Sequence, residues 1–112
     1  TWKATPVVTP LGAILPKLQR PRFAMRWTCF LSGRVQGVGM RFAAHRMANQ
    51  CSLTGFVENI DDGRVRIVAE GETRVLAEFL ETLQTYGPGA IHRIERVESP
   101  ATGEFSNFTV RR

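Results

Sequence analysis

The chain has 112 residues, a mass of 12.5 kDa and a formal net charge of +5, which leaves room for one domain. With 43% hydrophobic and 22% charged residues, it is not a globally disordered, collagenous or coiled-coil protein. Its apolar runs are far shorter than the roughly 20 residues that cross a bilayer. Two cysteines, Cys29 and Cys51, are too few for a disulfide framework and lack zinc-site spacing. The composition predicts a soluble, cytoplasmic protein with reduced thiols.

The positive charge belongs to the first half of the chain. Residues 1–57 contain eight Lys and Arg and no acidic residue, whereas residues 58–112 contain seven Lys and Arg against ten Asp and Glu. A basic region favours anionic partners. Charge alone does not distinguish between two such partners, a nucleic acid and a small phosphorylated ligand.

The chain divides near residue 25. Four of the six prolines lie in the first 21 residues: Pro6, Pro10, Pro16 and Pro21. Because no helix or central strand runs through prolines at this spacing, we predict a Pro-rich basic extension over residues 1–24 and a folded domain over residues 25–112. Upstream translated or cloned sequence explains the extension better than an import signal, since the prolines would break an amphipathic helix.

The first predicted elements of the domain are a strand and an amphipathic helix. Trp27–Leu31 is rich in aromatic and β-branched residues, and the strand stops at Gly33. After a glycine-containing loop, Arg41–Cys51 has small and apolar residues on one helical face and polar residues on the other. His45 falls on the polar face, so we interpret it as a surface histidine rather than a general base.

Five further segments follow, namely the two strands of a hairpin, a helix and two more strands: Phe56–Ile60 with Val65–Ala69, Val75–Tyr86, Ala90–Glu98 and Phe105–Val110. Asp61, Asp62 and Gly63 occupy the hairpin turn, which makes the two carboxylates turn formers rather than metal ligands. Gly87 and Pro88 end the second helix. The order predicts a ferredoxin-like α/β sandwich (α+β, βαββαβ), with two helices on one face of a four- to five-stranded antiparallel sheet.

The loop between the first strand and the first helix is typical of an anion site. Gly37 and Gly39 allow several backbone N–H groups to turn into one concavity, and the helix N-terminus adds free N–H groups and its positive dipole end. No Gly-Lys-Ser/Thr follows, so the loop is not a nucleotide-binding Walker loop. Arg41 adds a forked donor that can hold two phosphate oxygens at once.

The sequence GRVQGVGMR at residues 33–41 resembles the signature loop of the acylphosphatases, and GFVENIDDGRV at residues 55–65 resembles their second signature. The resemblance extends from about Arg26 to Arg112. It implies catalytic roles for Arg41, which binds the phosphate, and Asn59, which orients the attacking water. It also implies a phosphate-binding set: Gln36, Gly37, Val38, Gly39, Met40 and Arg41. The family usually has phenylalanine at the position of Met40, and methionine keeps the bulk and apolarity.

This resemblance implies a hydrolase that cleaves the carboxyl-phosphate bond of acyl phosphates to a carboxylate and orthophosphate, with no metal or other cofactor. The chemistry agrees, because a carboxylate leaving group, whose conjugate acid has a pKa of about 4, needs no general acid. Phosphoryl transfer mainly requires positioning and stabilisation of charge. We expect phosphate and other small oxyanions to inhibit, and we expect a monomer without a membrane partner.

Two alternatives keep the same fold. Similar domains begin large hydrogenase-maturation proteins that handle carbamoyl phosphate; the sequence ends at Arg112 without zinc-finger cysteines, which favours a stand-alone enzyme unless the domain is excised. A nucleic-acid-binding module would carry exposed aromatic and basic residues along central strands, and the sequence has no such signature. The physiological acyl phosphate is not encoded in a loop that holds only the phosphate.

Overall fold

The computed structural model describes residues 24–112. The predicted extension therefore lies outside the described residues, apart from Ala24. The elements in chain order are β1 (Ala24–Arg34), α1 (Met40–Gln50), β2 (Thr54–Asn59), β3 (Val65–Glu72), α2 (Thr73–Tyr86), β4 (Ala90–Pro100) and β5 (Phe108–Val110). The predicted order of elements is confirmed; β1, β3 and β4 extend beyond their predicted bounds, whereas β5 is shorter than the predicted strand over Phe105–Val110.

The five strands form one sheet in the order β4-β1-β3-β2-β5. Strand β1 pairs antiparallel with β3 and β4, and β2 pairs antiparallel with β3. Strand β5 pairs parallel with β2, so the prediction of a purely antiparallel sheet is wrong for this pair. The reason is that the chain after β4 crosses one end of the sheet before it joins the far edge in the direction of β2. The ferredoxin-like α+β fold is confirmed.

The two helices cover one face of the sheet because apolar residues alternate along the central strands. Val65, Ile67 and Ala69 of β3 point into the core, together with buried residues of both helices: Met40, Ala43, Ala44, Ala48, Leu76, Phe79, Leu80 and Leu83. Val35 and Met40 are each 1% exposed, so the core holds both ends of the loop between β1 and α1.

The strand directions give the sheet two distinct ends. Strands β1, β2 and β5 finish at the same end, where α1 also begins; we call this the loop end (residues 33–41, 59–65 and 110–112). The opposite end, where β1 starts and the chain passes from β4 to β5, is the crossover end (residues 24–26, 52–54, 70–72 and 100–107).

Both cysteines are free thiols. Cys29 is buried in the core, and this burial raises the pKa of its thiol to about 11, so it remains neutral. No helix within residues 24–112 has the length and apolarity needed to span a bilayer.

Candidate active site

The loop end contains a backbone concavity built on two glycines. Gly37 has a φ of 74° and Gly39 a φ of 89°, left-handed angles that glycine adopts without strain. A Cβ atom at either position would meet nothing within 4 Å. The glycines are therefore needed for their conformation rather than for close packing, and the space beside the loop is open to a ligand.

The N-terminus of α1 supplies unpaired backbone donors next to this concavity. Ala43 N–H donates to the Gly39 carbonyl at 3.1 Å, and no side chain of the described residues caps the helix. The N–H groups of Met40, Arg41 and Phe42 precede the first intrahelical bond and have no acceptor within the helix. The first turn contains no acidic residue. Free donors at the positive end of the helix dipole favour a bound anion.

A small cavity opens beside these donors. It has a volume of about 130 Å³, and its walls combine the loop, the start of α1 and the end of β2: Val35, Gly37, Gly39, Met40, Arg41, Phe42 and Asn59. This volume is well below the roughly 300–1,000 Å³ of pockets that enclose drug-sized ligands. The cavity suits an anion of a few heavy atoms.

Arg41 lies in the first turn of α1 and is half-buried. Its Nη1 atom donates to the Arg111 carbonyl oxygen at 3.1 Å, just after β5. Arg111 N–H in turn donates to the Val57 carbonyl at 2.8 Å, so β2 fixes the carbonyl that orients Arg41. Among residues 24–112 the Arg41 side chain makes this one hydrogen bond, and its remaining donors can reach a ligand in the cavity.

Asn59 is the last residue of β2 and reaches the same cavity from the other side. Its backbone pairs with Val65 in the hairpin, and its N–H donates to the Arg112 carbonyl at 3.3 Å. The main chain of Asn59 is thus fixed on both flanks. Its side-chain amide has no hydrogen-bond partner within the described part of the chain, and it is half-buried.

Two residues of the predicted phosphate-binding set do not line the cavity. The Gln36 side-chain amide donates to the Ile60 carbonyl at 2.8 Å and to the Arg64 carbonyl at 2.9 Å, which ties the loop to the hairpin. Val38 packs against the hydrophobic core. The cavity therefore brings together Gly37, Gly39, Met40, Arg41 and Asn59, while the side chains of Gln36 and Val38 hold the loop in place.

The other polar candidates lie outside the cavity. The His45 Nε2 atom lies 3.1 Å from Asn49 Nδ2, one turn further along α1. Asp62 accepts from the Arg64 N–H at 3.1 Å and from Arg64 Nε at 2.8 Å. The backbone hydrogen bond from Arg64 lowers the pKa of Asp62, and its guanidinium adds to the effect. Within residues 24–112, no group of three or more His, Cys, Asp or Glu side chains is placed to hold a metal ion.

Three residues of this site escaped sequence reasoning. Val35 and Phe42 line the cavity, and Arg111 orients Arg41 through its carbonyl. A backbone carbonyl leaves no trace in a residue pattern, so Arg111 gave no signal. Phe42 did give a signal. This phenylalanine directly after Arg41 falls outside the apolar face of the helix, so core packing does not account for it.

Comparison with known proteins gives one consistent result. The family model Acylphosphatase matches residues 27–110. An acylphosphatase of Arthrobacter sp. is 47% identical over 81 residues, which cover 71% of this chain and 74% of the relative. An acylphosphatase of Methanospirillum hungatei is 41% identical over 88 residues, which cover 78% of this chain and 97% of the relative.

Solved structures agree with the sequence relatives. An acylphosphatase from Coxiella burnetii has a TM-score of 0.75 and 32% identity, covering 83% of this chain and 98% of that chain. HypF from T. kodakarensis has a TM-score of 0.69 and 33% identity, covering 77% of this chain and 12% of that much longer chain.

The fold and the cavity define a small α/β-sandwich protein with a glycine-containing loop and a small cavity at one end of its sheet. Given the family match over residues 27–110 and relatives above 40% identity, the chain belongs to the acylphosphatase family. The predicted activity, hydrolysis of acyl phosphates, is confirmed at this level.

Proposed function

We propose that the cavity at the loop end is the active site, that the loop of residues 36–41 holds the phosphoryl group through its main chain and the Arg41 side chain, and that Arg41 and Asn59 are the catalytic residues. The observation that supports this proposal is their convergence: two residues from different elements line one cavity with Gly37 and Gly39. Met40 contributes its backbone N–H, because its side chain is buried in the core.

In this proposal Arg41 and the free N–H groups of α1 bind the phosphoryl oxygens. Negative charge on these oxygens is held in the transition state by donors that are already positioned, so little reorganisation is needed during the reaction. A water oxygen forms a bond to phosphorus while the bond from phosphorus to the acyl oxygen breaks. The bonding electron pair leaves with the carboxylate, and the water proton ends on orthophosphate or in solvent.

Asn59 orients that water. Its carboxamide oxygen can accept a proton of the water in a hydrogen bond, and an amide carries no charge that would repel the phosphoryl group. The fixed backbone of Asn59, bonded to β3 on one side and to Arg112 on the other, supports this role because it restricts where the amide can reach.

The reaction so described uses no metal ion, and this is tested by steady-state hydrolysis of benzoyl phosphate with and without a chelator. We expect the same kcat/KM in both conditions and competitive inhibition by inorganic phosphate. Activity that disappears with the chelator and returns with a divalent cation would contradict the proposal.

We also propose a cytoplasmic monomer. Two free cysteines, one of them in the core, support a reducing compartment. Light scattering coupled to gel filtration tests the oligomeric state, and fractionation of expressing cells tests the compartment. A dimer mass, or enrichment in a secreted fraction, would contradict this part.

A further inference from the structure

The cavity is too small to enclose an acyl phosphate with a large acyl group. Its volume of about 130 Å³ suits the phosphoryl group. An aromatic or long acyl group attached to that phosphoryl group has to extend through the mouth of the cavity. The residues at the mouth are therefore placed to contact the part of the substrate that differs from one acyl phosphate to another.

Among the side chains that line the cavity, Phe42 is the exposed one, which places it at this mouth. It follows Arg41 in the first turn of α1, it borders the cavity, and it is 72% exposed. The packing of the domain does not explain an exposed phenylalanine there, because the core face of α1 consists of other residues. One other aromatic residue in the described chain is similarly exposed, Tyr86 at 79%, and it lies at the end of α2, outside the cavity.

A shallow groove continues from Phe42 along the outer face of α1. It has a volume of about 590 Å³ and is lined by Phe42, His45, Arg46, Asn49 and Gln50. The first four of these share one side of the helix by their spacing. Because Phe42 borders both the cavity and the groove, an acyl group that leaves the cavity passes over its ring.

We propose that Phe42 is a specificity-determining residue whose ring packs against the acyl group, so that the enzyme favours acyl phosphates with an aromatic or extended apolar acyl group over acetyl phosphate. This inference rests on the proposed location of the phosphoryl group beside Arg41. The ring touches no reacting atom and contacts the ground state and the transition state alike. Its contribution therefore falls on KM rather than on kcat.

The test compares KM and kcat for benzoyl phosphate and acetyl phosphate in the full-length wild type and in the variants F42A, F42L and Y86A. We expect the wild type to have the lower KM for benzoyl phosphate, by about tenfold if half of the ring area is buried by the substrate. F42A should bring the ratio of the two KM values close to one, and F42L should leave an intermediate ratio. Y86A, which also removes an exposed aromatic ring, should keep the wild-type ratio.

Three outcomes would overturn this inference while the proposed active site stands. They are equal KM values for both substrates in the wild type, a ratio that F42A leaves unchanged, and a lower KM for succinyl phosphate, whose acyl group carries a negatively charged carboxylate, than for benzoyl phosphate, which would assign the groove to Arg46. The location of the phosphoryl group is tested separately by inorganic phosphate. If R41A leaves phosphate inhibition unchanged, the cavity is not the phosphate site and this inference fails with it.

Discussion

Both ends of the sheet bring an arginine and backbone N–H groups together, and the two ends differ in the anion that these donors face. At the crossover end the anion is internal: the Glu70 carboxylate is 5% exposed and accepts from Arg26 Nε at 2.7 Å, Thr102 N–H at 3.1 Å and Gly103 N–H at 3.0 Å. At the loop end an arginine and backbone N–H groups are also gathered, but the cavity they face contains no carboxylate among its lining residues. The donors at the crossover end already have the Glu70 carboxylate as their acceptor. The donors at the loop end have no such internal acceptor in the cavity and can bind an anionic ligand.

The pKa of Glu70 expresses this difference. Burial by itself would raise the pKa of this carboxyl group, but the hydrogen bonds from Thr102, Arg26 and Gly103 outweigh it and hold the pKa below its ordinary value. The carboxylate thus stays charged and ties the connection between β4 and β5 to the sheet. Substitutions at the crossover end should therefore affect stability, and substitutions at the loop end should affect activity.

The largest loss of activity is expected when Arg41 is substituted. Arg41→Ala removes the forked cation, and Arg41→Lys keeps the charge but loses the two-point geometry. We expect kcat/KM for benzoyl phosphate to fall by about a thousandfold in Arg41→Ala and at least about a hundredfold in Arg41→Lys, with weaker phosphate inhibition in both. Arg74→Ala, an exposed arginine of α2, is the matched control. Wild-type kcat/KM in Arg41→Lys would refute this role.

Substitution of Asn59 should show whether this residue acts in phosphate binding or in the chemical step. If its amide acts on the water, Asn59→Ala lowers kcat by about a hundredfold or more, while the inhibition constant of phosphate stays within about twofold. Asn107→Ala, which changes an exposed asparagine at the crossover end, should alter neither constant. Equal losses of phosphate affinity and of kcat would show that Asn59 belongs to the phosphate cradle or shapes the loop.

Substitution of Glu70 should lower the stability of the domain and leave its activity almost unchanged. Glu70→Gln leaves buried donors without a charged acceptor, so we expect a loss of about 2 kcal/mol in the free energy of unfolding. For a domain of this size that loss corresponds to a Tm lower by roughly 10 °C. The kcat/KM should stay within about twofold of the wild type. Glu72→Gln, two residues further along β3 and exposed, is the control and should change stability by less than about 0.5 kcal/mol.

The difference in unfolding free energy between wild type and Glu70→Gln should depend on pH, because the pKa of Glu70 is lowered in the folded state. A carboxyl group whose pKa is lower in the folded than in the unfolded state stabilises the fold above its unfolded value, about 4.3, and loses this contribution as the pH falls through the folded pKa. The gap in unfolding free energy between wild type and Glu70→Gln should therefore be full near neutral pH and narrow below about pH 4. A gap that stays constant from pH 7 to pH 3 would contradict the ionic role of Glu70.

Local patterns made much of the molecule predictable. The hairpin follows from Asp62 and Gly63 between two apolar segments, and Gly63 has the expected left-handed φ of 96°. Both helices follow from their apolar spacing. The loop at residues 33–41 was recognisable as a candidate anion site because glycines and an arginine between a strand and a helix are typical of such sites.

What escaped prediction depends on long-range pairing. Strand β5 has three residues, and an alternating pattern of that length does not encode whether its neighbour runs parallel or antiparallel. The Gln36 side chain binds two main-chain carbonyls of the hairpin, acceptors that any residue type supplies. The same holds for the Arg111 carbonyl that orients Arg41.

The smallest effect is expected from removing residues 1–24, which remain a predicted extension. They precede both signature sequences, and the family match begins at residue 27. Starting the chain at Met25 removes Ala24, which pairs with Glu72 and whose carbonyl accepts from Ala101 N–H at 3.4 Å. One such bond at the end of a strand contributes at most about 1 kcal/mol. A chain that starts at Ala24 keeps this bond and is therefore the matched control.

Truncation should mainly change the charge of the protein. It removes Lys3, Lys17, Arg20 and Arg22, which lowers the formal net charge from +5 to +1. Binding to a polyanion such as heparin at low salt should weaken, because that attraction scales with the net positive charge. The kcat/KM for benzoyl phosphate should not change, and the Tm should fall by no more than a few degrees, and by less in the chain that starts at Ala24. A clear drop in kcat/KM, or a large fall in Tm in both truncated chains, would mean that the extension docks on the domain and that the boundary lies earlier than residue 25.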